Sequence, residues 1–343
     1  MKAKIVSAIA LAATVGFGTA ATAQQRDTIQ IAGSSTVLPF ASVVAEEFGN
    51  TFPEFKTPVV GSGGSGGGLR QFCQGVDMNT IDIANASRAI KDKEIEACNA
   101  AGVKDIIQVK IGYDGIVFAS SANGAAFALK PAEIFQAIAA KVPQDGKMVD
   151  NPYTNWNQID PALPDQEITL VIPGTNHGTR EVFEEKVIIP GCESFEAIKA
   201  LGKEEAEKAC VSLRQGGRVI EISGDYTETL ARLDAQPAAV GVFGLSFYEQ
   251  NRDRLQVATV DGVSPSLDTV ASGEYPVSRP LFFYIKGEHI GKVPGLEEYA
   301  QFFLSEQVSG MGSPLEQAGL IPLSAEERET QLANVENKVS MSK

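Results

Sequence analysis

The sequence predicts an α/β architecture with largely parallel strands, and three observations carry that prediction. Between Thr28 and Val187, a short apolar or alternating run, a loop of Gly, Ser and Thr, and a helix-forming stretch follow one another four times. The chain has 343 residues, 43% of them apolar, which supplies length and apolar content for about two domains with a core each. Its four cysteines are too sparse in so long a chain for a small stapled scaffold.

The elements follow in order. Lys2 and Lys4, the apolar run Ile5 to Gly18 and the small residues Ala21-Thr22-Ala23 read as a secretory signal over residues 1–23, set aside from the fold. Thr28 to Ala32 alternates and breaks at Gly33, a short strand. Ser34, Ser35, Thr36 and Pro39 open a helix whose apolar spacing runs from Phe40 to Phe48. A second strand near Thr57 to Val60 enters the glycine-rich stretch 61–68, and a helix is expected from Leu69 through Phe72 and Cys73. Ile81 to Ala84 reads as a third strand, Asp92 to Ala101 as a charged helix, and Ile106 to Ala119 as extended chain crossing a joint at Gly112 and Gly115. A helix over Pro131 to Ala140, a buried strand over Ile168 to Ile172 and a helix from Thr179 to Val187 complete the series. The tail from Ser324 to Lys343 is polar, helical at first and then frayed.

Composition excludes some functions. With 29 Lys+Arg against 43 Asp+Glu the formal charge is −14, and removing the leader's two lysines takes it to −16. A nucleic-acid partner, which requires a basic face, is not expected. No later segment offers the roughly 20 consecutive apolar residues of a membrane span. Cys73 and Cys98 are 25 residues apart, and Cys192 and Cys210 are 18 apart. In an oxidising compartment two local disulfides are the natural reading; of the three connectivities available to four cysteines, loop-closure entropy favours the short loops without excluding the others. A zinc site finds no Cys-x-x-Cys or His-x-x-x-His spacing to support it.

Three strand-to-helix loops carry the candidate chemistry: Gly33 to Leu38, Gly61 to Gly68, and Gly174 to Arg180. A helix start exposes unpaired N–H groups and partial positive charge, so each loop suits an anion, although Ser, Thr and Gly also serve there as plain caps and turns. Six glycines among the eight residues 61–68 cost conformational entropy unless the backbone must approach something closely. The same octet matches a dinucleotide fingerprint at Gly61-x-Gly63-x-x-Gly66, with Asp82 where a ribose-binding acid would lie, and export weighs against that reading. It also matches a nucleophile elbow at Ser65, which makes an exported serine hydrolase the competing hypothesis. The chain's two histidines are His177, inside an anion-type loop, and His289, in a polar context that reads as a solvated turn. Arg88 and Arg180 stand beside two of the loops, and their paired donors suit phosphate; ion pairs with Asp92 or Glu184 are the alternative.

Taken together, Gly33-Ser-Ser-Thr-Val-Leu-Pro39, Ser65-Gly-Gly-Gly68, Asp82-Ile-Ala-Asn-Ala-Ser-Arg88, His177-Gly-Thr-Arg-Glu-Val-Phe183 and Tyr275-Pro-Val-Ser-Arg-Pro-Leu281 resemble the phosphate-binding protein (PstS) family of phosphate ABC transporters. The resemblance spans essentially the whole mature chain in the same motif order. It implies a type II periplasmic binding fold: two α/β lobes joined by a hinge that the chain crosses twice, residues 24–112 with 271–343 in one lobe and 113–270 in the other. It implies a periplasmic, monomeric receptor that encloses inorganic phosphate and delivers it to a membrane permease, without catalysis or cofactor. By motif, Ser35, Thr36, Val37 and Leu38 would supply hydroxyl and backbone donors, Ser65 a hydroxyl, Ser87 and Arg88 a second edge, and His177, Gly178, Thr179 and Arg180 the facing lobe. One branch of the family has a proton-accepting aspartate at the position of Arg88, an arginine at that of Pro173 and a serine at that of His177. These departures also admit another tetrahedral oxyanion, and they leave Asp114, in Gly112-Tyr113-Asp114-Gly115, as the nearest candidate for acceptor of the phosphate proton, a cap of the hinge turn that touches no ligand being the alternative.

Overall fold

The computed structural model describes residues 26–175, 178–223 and 226–341. In the first half, β1 (Gln30–Gly33) leads to α1 (Leu38–Thr51), β2 (Val59–Ser62) to α2 (Ser65–Phe72), and β3 (Ile83–Ala86) to α3 (Asp92–Ala100). The long strand β4 (Ile106–Ser121) leads on to α4 (Pro131–Ile138), β5 (Leu170–Pro173) and α5 (Gly178–Phe183). After α5 the chain widens into a π-helical turn over Glu184–Ile188 before Pro190, whose missing N–H interrupts the regular ladder. Then come β6 (Val219–Ile222), α6 (Tyr226–Ala235), β7 (Val240–Gly244), α7 (Leu245–Gln250), β8 (Ser278–Lys286), α8 (Leu296–Phe303) and α9 (Ala325–Glu336).

One curled sheet takes the order β2-β1-β3-β8-β4-β7-β5-β6. Its flanks are parallel: Ile31 pairs with Val60 and Ile83, and Val171 with Gly241 and Ile220. Its middle is antiparallel, because β8 runs back along β4 from Ser278 opposite Gly115 to Lys286 opposite Ile106. The expected parallel arrangement therefore holds on each side, and the two strands that join the sides depart from it. One core gathers Ile116, Phe118, Trp156, Phe183, Phe243 and Val277, and another gathers Val44, Phe48, Ile83, Val109, Phe283 and Phe303. β4 and β8 are the covalent links between these two lobes.

Two glycines of the sequence motifs are required by packing. A Cβ at Gly68 would lie 2.4 Å from Gly33 Cα, so α2 rests directly on the backbone of β1. That answers the entropy argument for the octet with an intramolecular approach. The helix α2 begins at Ser65, four residues before the predicted start. At Gly112 the backbone is left-handed at φ +153°, and a Cβ would lie 2.6 Å from the Ile321 carbonyl, where the register of β4 against β8 shifts.

The cysteines join as Cys73–Cys98 and Cys192–Cys210. The expected fraying of the tail is corrected as far as Met341: Ser324 caps α9 through Glu327 N, and Met341 N donates to Ile106 O at 2.7 Å, tying the chain end to the start of β4. His289 is also corrected. It is fully buried, with Nδ1 2.6 Å from Asp82 Oδ1 and Nε2 3.0 Å from Val76 O. Arg26 hydrogen-bonds the same Asp82, whose other oxygen accepts Gln30 N at 2.7 Å, so the would-be ribose acid is consumed inside the first lobe. The predicted leader lies outside the described residues, and among those described no helix is long and apolar enough to cross a membrane.

Candidate ligand-binding site

A cleft of about 300 Å³ opens between the lobes, with Ser35, Thr36 and Phe40 on one wall, Thr179, Tyr226, Ser246 and Phe247 on the other, and Asp114 of the hinge strand β4 at its base. Ser34, almost wholly buried, organises the first wall: its hydroxyl oxygen accepts Thr36 N at 3.2 Å and Val37 N at 3.4 Å, and its carbonyl accepts Leu38 N at 3.0 Å. The Val37 and Leu38 amides expected to face a ligand are thus engaged within their own turn, and the hydroxyls of Ser35 and Thr36 are what this loop presents. Pro39, near the start of α1, preorganises the helix behind them.

On the facing wall Thr179 Oγ1 and Tyr226 OH are hydrogen-bonded to each other. Burial pushes the Tyr226 phenol up to about 12, so it remains a donor throughout the neutral range. Ser246 Oγ donates across the cleft to Gly319 O at 3.3 Å.

The cation at the cleft is one the sequence reading missed. Arg279, on β8 directly opposite Asp114 in the ladder, is 3% exposed. Its Nη2 donates to Thr36 Oγ1 at 3.0 Å, its Nη1 to Glu185 Oε2 at 2.8 Å, and its Nε stands 3.7 Å from Asp114 Oδ2. Burial raises the Asp114 carboxyl above the ordinary 3.8 while Arg279 opposes that shift. Arg279 lies in Ser278-Arg279-Pro280, a charged residue beside a proline within an apolar strand. That placement, inside a motif already singled out, was the available signal.

The arginines expected at the cleft are committed elsewhere. Arg88 forms a two-pronged pair with Glu94, rather than Asp92, at 2.9 and 2.8 Å, which holds the Glu94 carboxyl below the usual range. Arg180, 6% exposed, donates to Glu184 and Glu221 at 2.7 Å each and to Pro173 O at 3.0 Å. Ser65 and Ser87 are buried together, with Oγ–Oγ 3.0 Å and Ser87 N donating to Ser65 Oγ at 3.0 Å. Ser65, the first residue of α2, thereby ties that helix to the loop after β3, and His289 has both ring nitrogens occupied in the first lobe, which leaves the hydrolase reading without a described base. Gly178 opens α5; His177 lies outside the described residues.

A two-lobed α/β fold with a hydroxyl-lined cleft over paired hinge strands defines a type II periplasmic binding protein. The chain belongs to that class: the profile of the PBP superfamily domain matches residues 18–307. Its relatives include the protein SphX of Synechococcus elongatus, 28% identical over 331 residues that cover 94% of this chain and 86% of that one. The phosphate-binding protein PstS of Staphylococcus saprophyticus is 27% identical over 325 residues, 93% and 88% of the two chains. Among solved structures, that of a possible phosphate binding protein from Planctomyces limnophilus superposes with a TM-score of 0.69 at 27% identity, covering 91% of this chain and 99% of that one.

Proposed function

We propose that this chain is the exported receptor of a phosphate ABC importer: it encloses inorganic phosphate between its lobes and delivers it to a membrane permease, with no catalytic step. The observation that carries the reading is the convergence, at one interlobe cleft, of the Ser35, Thr36, Thr179 and Tyr226 hydroxyls and the Asp114 carboxylate, with the buried Arg279 guanidinium directly behind Thr36 and Asp114. Hydroxyls and a buried arginine supply charge-assisted donors to a tetrahedral oxyanion, and a carboxylate is the acceptor for the proton that phosphate retains near neutral pH. Relatives named as phosphate-binding proteins over most of their length support the ligand. The reading assigns the leader to residues 1–23 and the mature protein to the periplasm as a monomer. It divides the lobes at the hinge crossings, residues 24–112 with 271–343 against 113–270. The return crossing is moved from residue 271 to Ser278, because Tyr275 and Val277 pack in the core of Ile116, Phe118 and Phe243.

Calorimetry of the mature protein with phosphate tests the proposal. One site per chain with a Kd of micromolar or tighter, about 8 kcal/mol or more, is expected. No heat with phosphate, together with saturable heat from sulfate or another tetrahedral oxyanion, would reassign the ligand.

A further inference from the structure

Glu181 holds a position suited to an oxygen of a bound oxyanion. From α5 in the second lobe its Oε2 accepts the Thr36 hydroxyl of the first lobe at 3.1 Å and lies 3.6 Å from Arg279 Nη2, which itself donates to Thr36. One turn further on, Glu185 accepts the other terminal nitrogen of Arg279. Burial of the partners is unequal. The Arg279 side chain is 3% exposed and fixed, whereas those of Glu181 and Glu185 are 44% and 46% exposed and can turn out to water. The cation is built into the hinge; the carboxylates on it are replaceable.

We propose that Glu181 is an internal competitor for the oxyanion site: its carboxylate occupies the Thr36 hydroxyl and the Arg279 guanidinium until phosphate displaces it, and returns as phosphate leaves. The proposal rests on the reading that phosphate is held by Thr36 and Arg279. Two anions cannot share those donors, because a carboxylate within a few ångströms of a dianion repels it strongly where water is scarce. The apparent affinity is then the intrinsic affinity reduced by the fraction of time Glu181 is turned out. Since the carboxylate is tethered to the same molecule, its effective concentration at the site is in the millimolar range, enough to compete with rebinding of phosphate once it has left. The contact also joins the lobes, so it reproduces part of the bridging that a ligand supplies.

The test is phosphate calorimetry and stopped-flow association and release with the mature wild type, Glu181→Gln, Glu181→Ala and Glu329→Gln at an exposed position of α9, each at low and high salt, with a melting curve for every protein. Both Glu181 variants are expected to bind phosphate about tenfold or more tightly, the gain lying in faster association and persisting at high salt, as for a site previously free about a tenth of the time. Glu329→Gln should match the wild type. Unchanged or weaker binding by folded Glu181 variants, against a wild type that binds, overturns the competitor, and a gain that disappears at high salt overturns it too by reducing the effect to long-range charge. Binding by the variants alone supports both the competitor and the phosphate reading. If none of the four proteins binds phosphate, the functional reading is what fails, and the competitor falls with it.

Discussion

Asp114 and Arg279 face one another across adjacent hinge strands without a close hydrogen bond: Oδ2 and Nε are 3.7 Å apart, and neither atom has a hydrogen-bond partner among the described residues. A buried polar atom left unpaired costs about 1–3 kcal/mol, so this pair is strained toward a ligand that brings both a donor and an acceptor. Protonated phosphate brings both, and sulfate lacks the donor. The folded Asp114 carboxyl titrates above its ordinary value of 3.8, so what it contributes to stability is present below that value and lost as pH rises through the folded one. At neutral pH the charged form is a burden on the fold. Asp114→Asn should therefore melt higher at neutral pH than the wild type while binding phosphate about ten- to a hundredfold more weakly, and it should bind sulfate as well as it binds phosphate. Melting curves and parallel titrations with the two anions check this. Unchanged affinity and unchanged sulfate rejection would remove Asp114 from recognition.

At the scale of elements, β8 serves the hinge at one end and anchors the first lobe at the other. Lys286, its last residue, is fully buried and donates to Gly75 O at 2.6 Å and Thr80 Oγ1 at 2.7 Å, pinning the loop between α2 and β3 beside the Asp82–His289 pair. Burial lowers the lysine from an ordinary 10.5 to about 8, with Asp82 pulling the other way. Between those values the unfolded chain holds the proton that the folded chain has shed, so raising the pH favours the folded state. Wild-type stability relative to Lys286→Met should rise on going from pH 8 to pH 10 by an amount on the order of 2 kcal/mol, measured by denaturant unfolding at fixed ionic strength. A constant difference across that range would show that the buried lysine keeps its proton. The same economy explains the glycine octet, where Gly68 lets α2 lie on Gly33 and so sets the loop that carries Ser34, Ser35 and Thr36.

For the whole molecule, a net charge of −14, or −16 for the proposed mature chain, sets the long-range field against the proposed dianion, and attraction is left to the donors inside the cleft. Phosphate association should accordingly be unchanged or faster as salt is added from about 10 mM to 150 mM, over which the screening length falls from roughly 30 to 8 Å. A steep fall in the association rate would reveal a positive funnel around Arg279 that outweighs the rest of the surface. The hinge has the form that lobe closure requires: two antiparallel strands crossing between separate cores, with the cleft polar groups mounted on or beside them.

The strands and helices up to Val187, the hydroxyl-rich loops, the crossing near Gly112 and the close cysteine pairs were legible in the chain because each depends on neighbours a few residues apart, through apolar period, caps, turn residues or loop length. The choice of cation at the cleft was not. Arg88 and Arg180 stand beside the loops, but each is claimed by carboxylates, Glu94 for the first and Glu184 with Glu221 for the second. Arg279 reaches Thr36 from 243 residues away because β8 is laid against β4. Likewise His289 looked solvated beside Gly287 and Glu288, and it is buried because Asp82, 207 residues earlier, lies beneath it. Which charges are spent on structure and which remain for a ligand is a competition among all partners within a few ångströms, and only the folded chain brings those partners together.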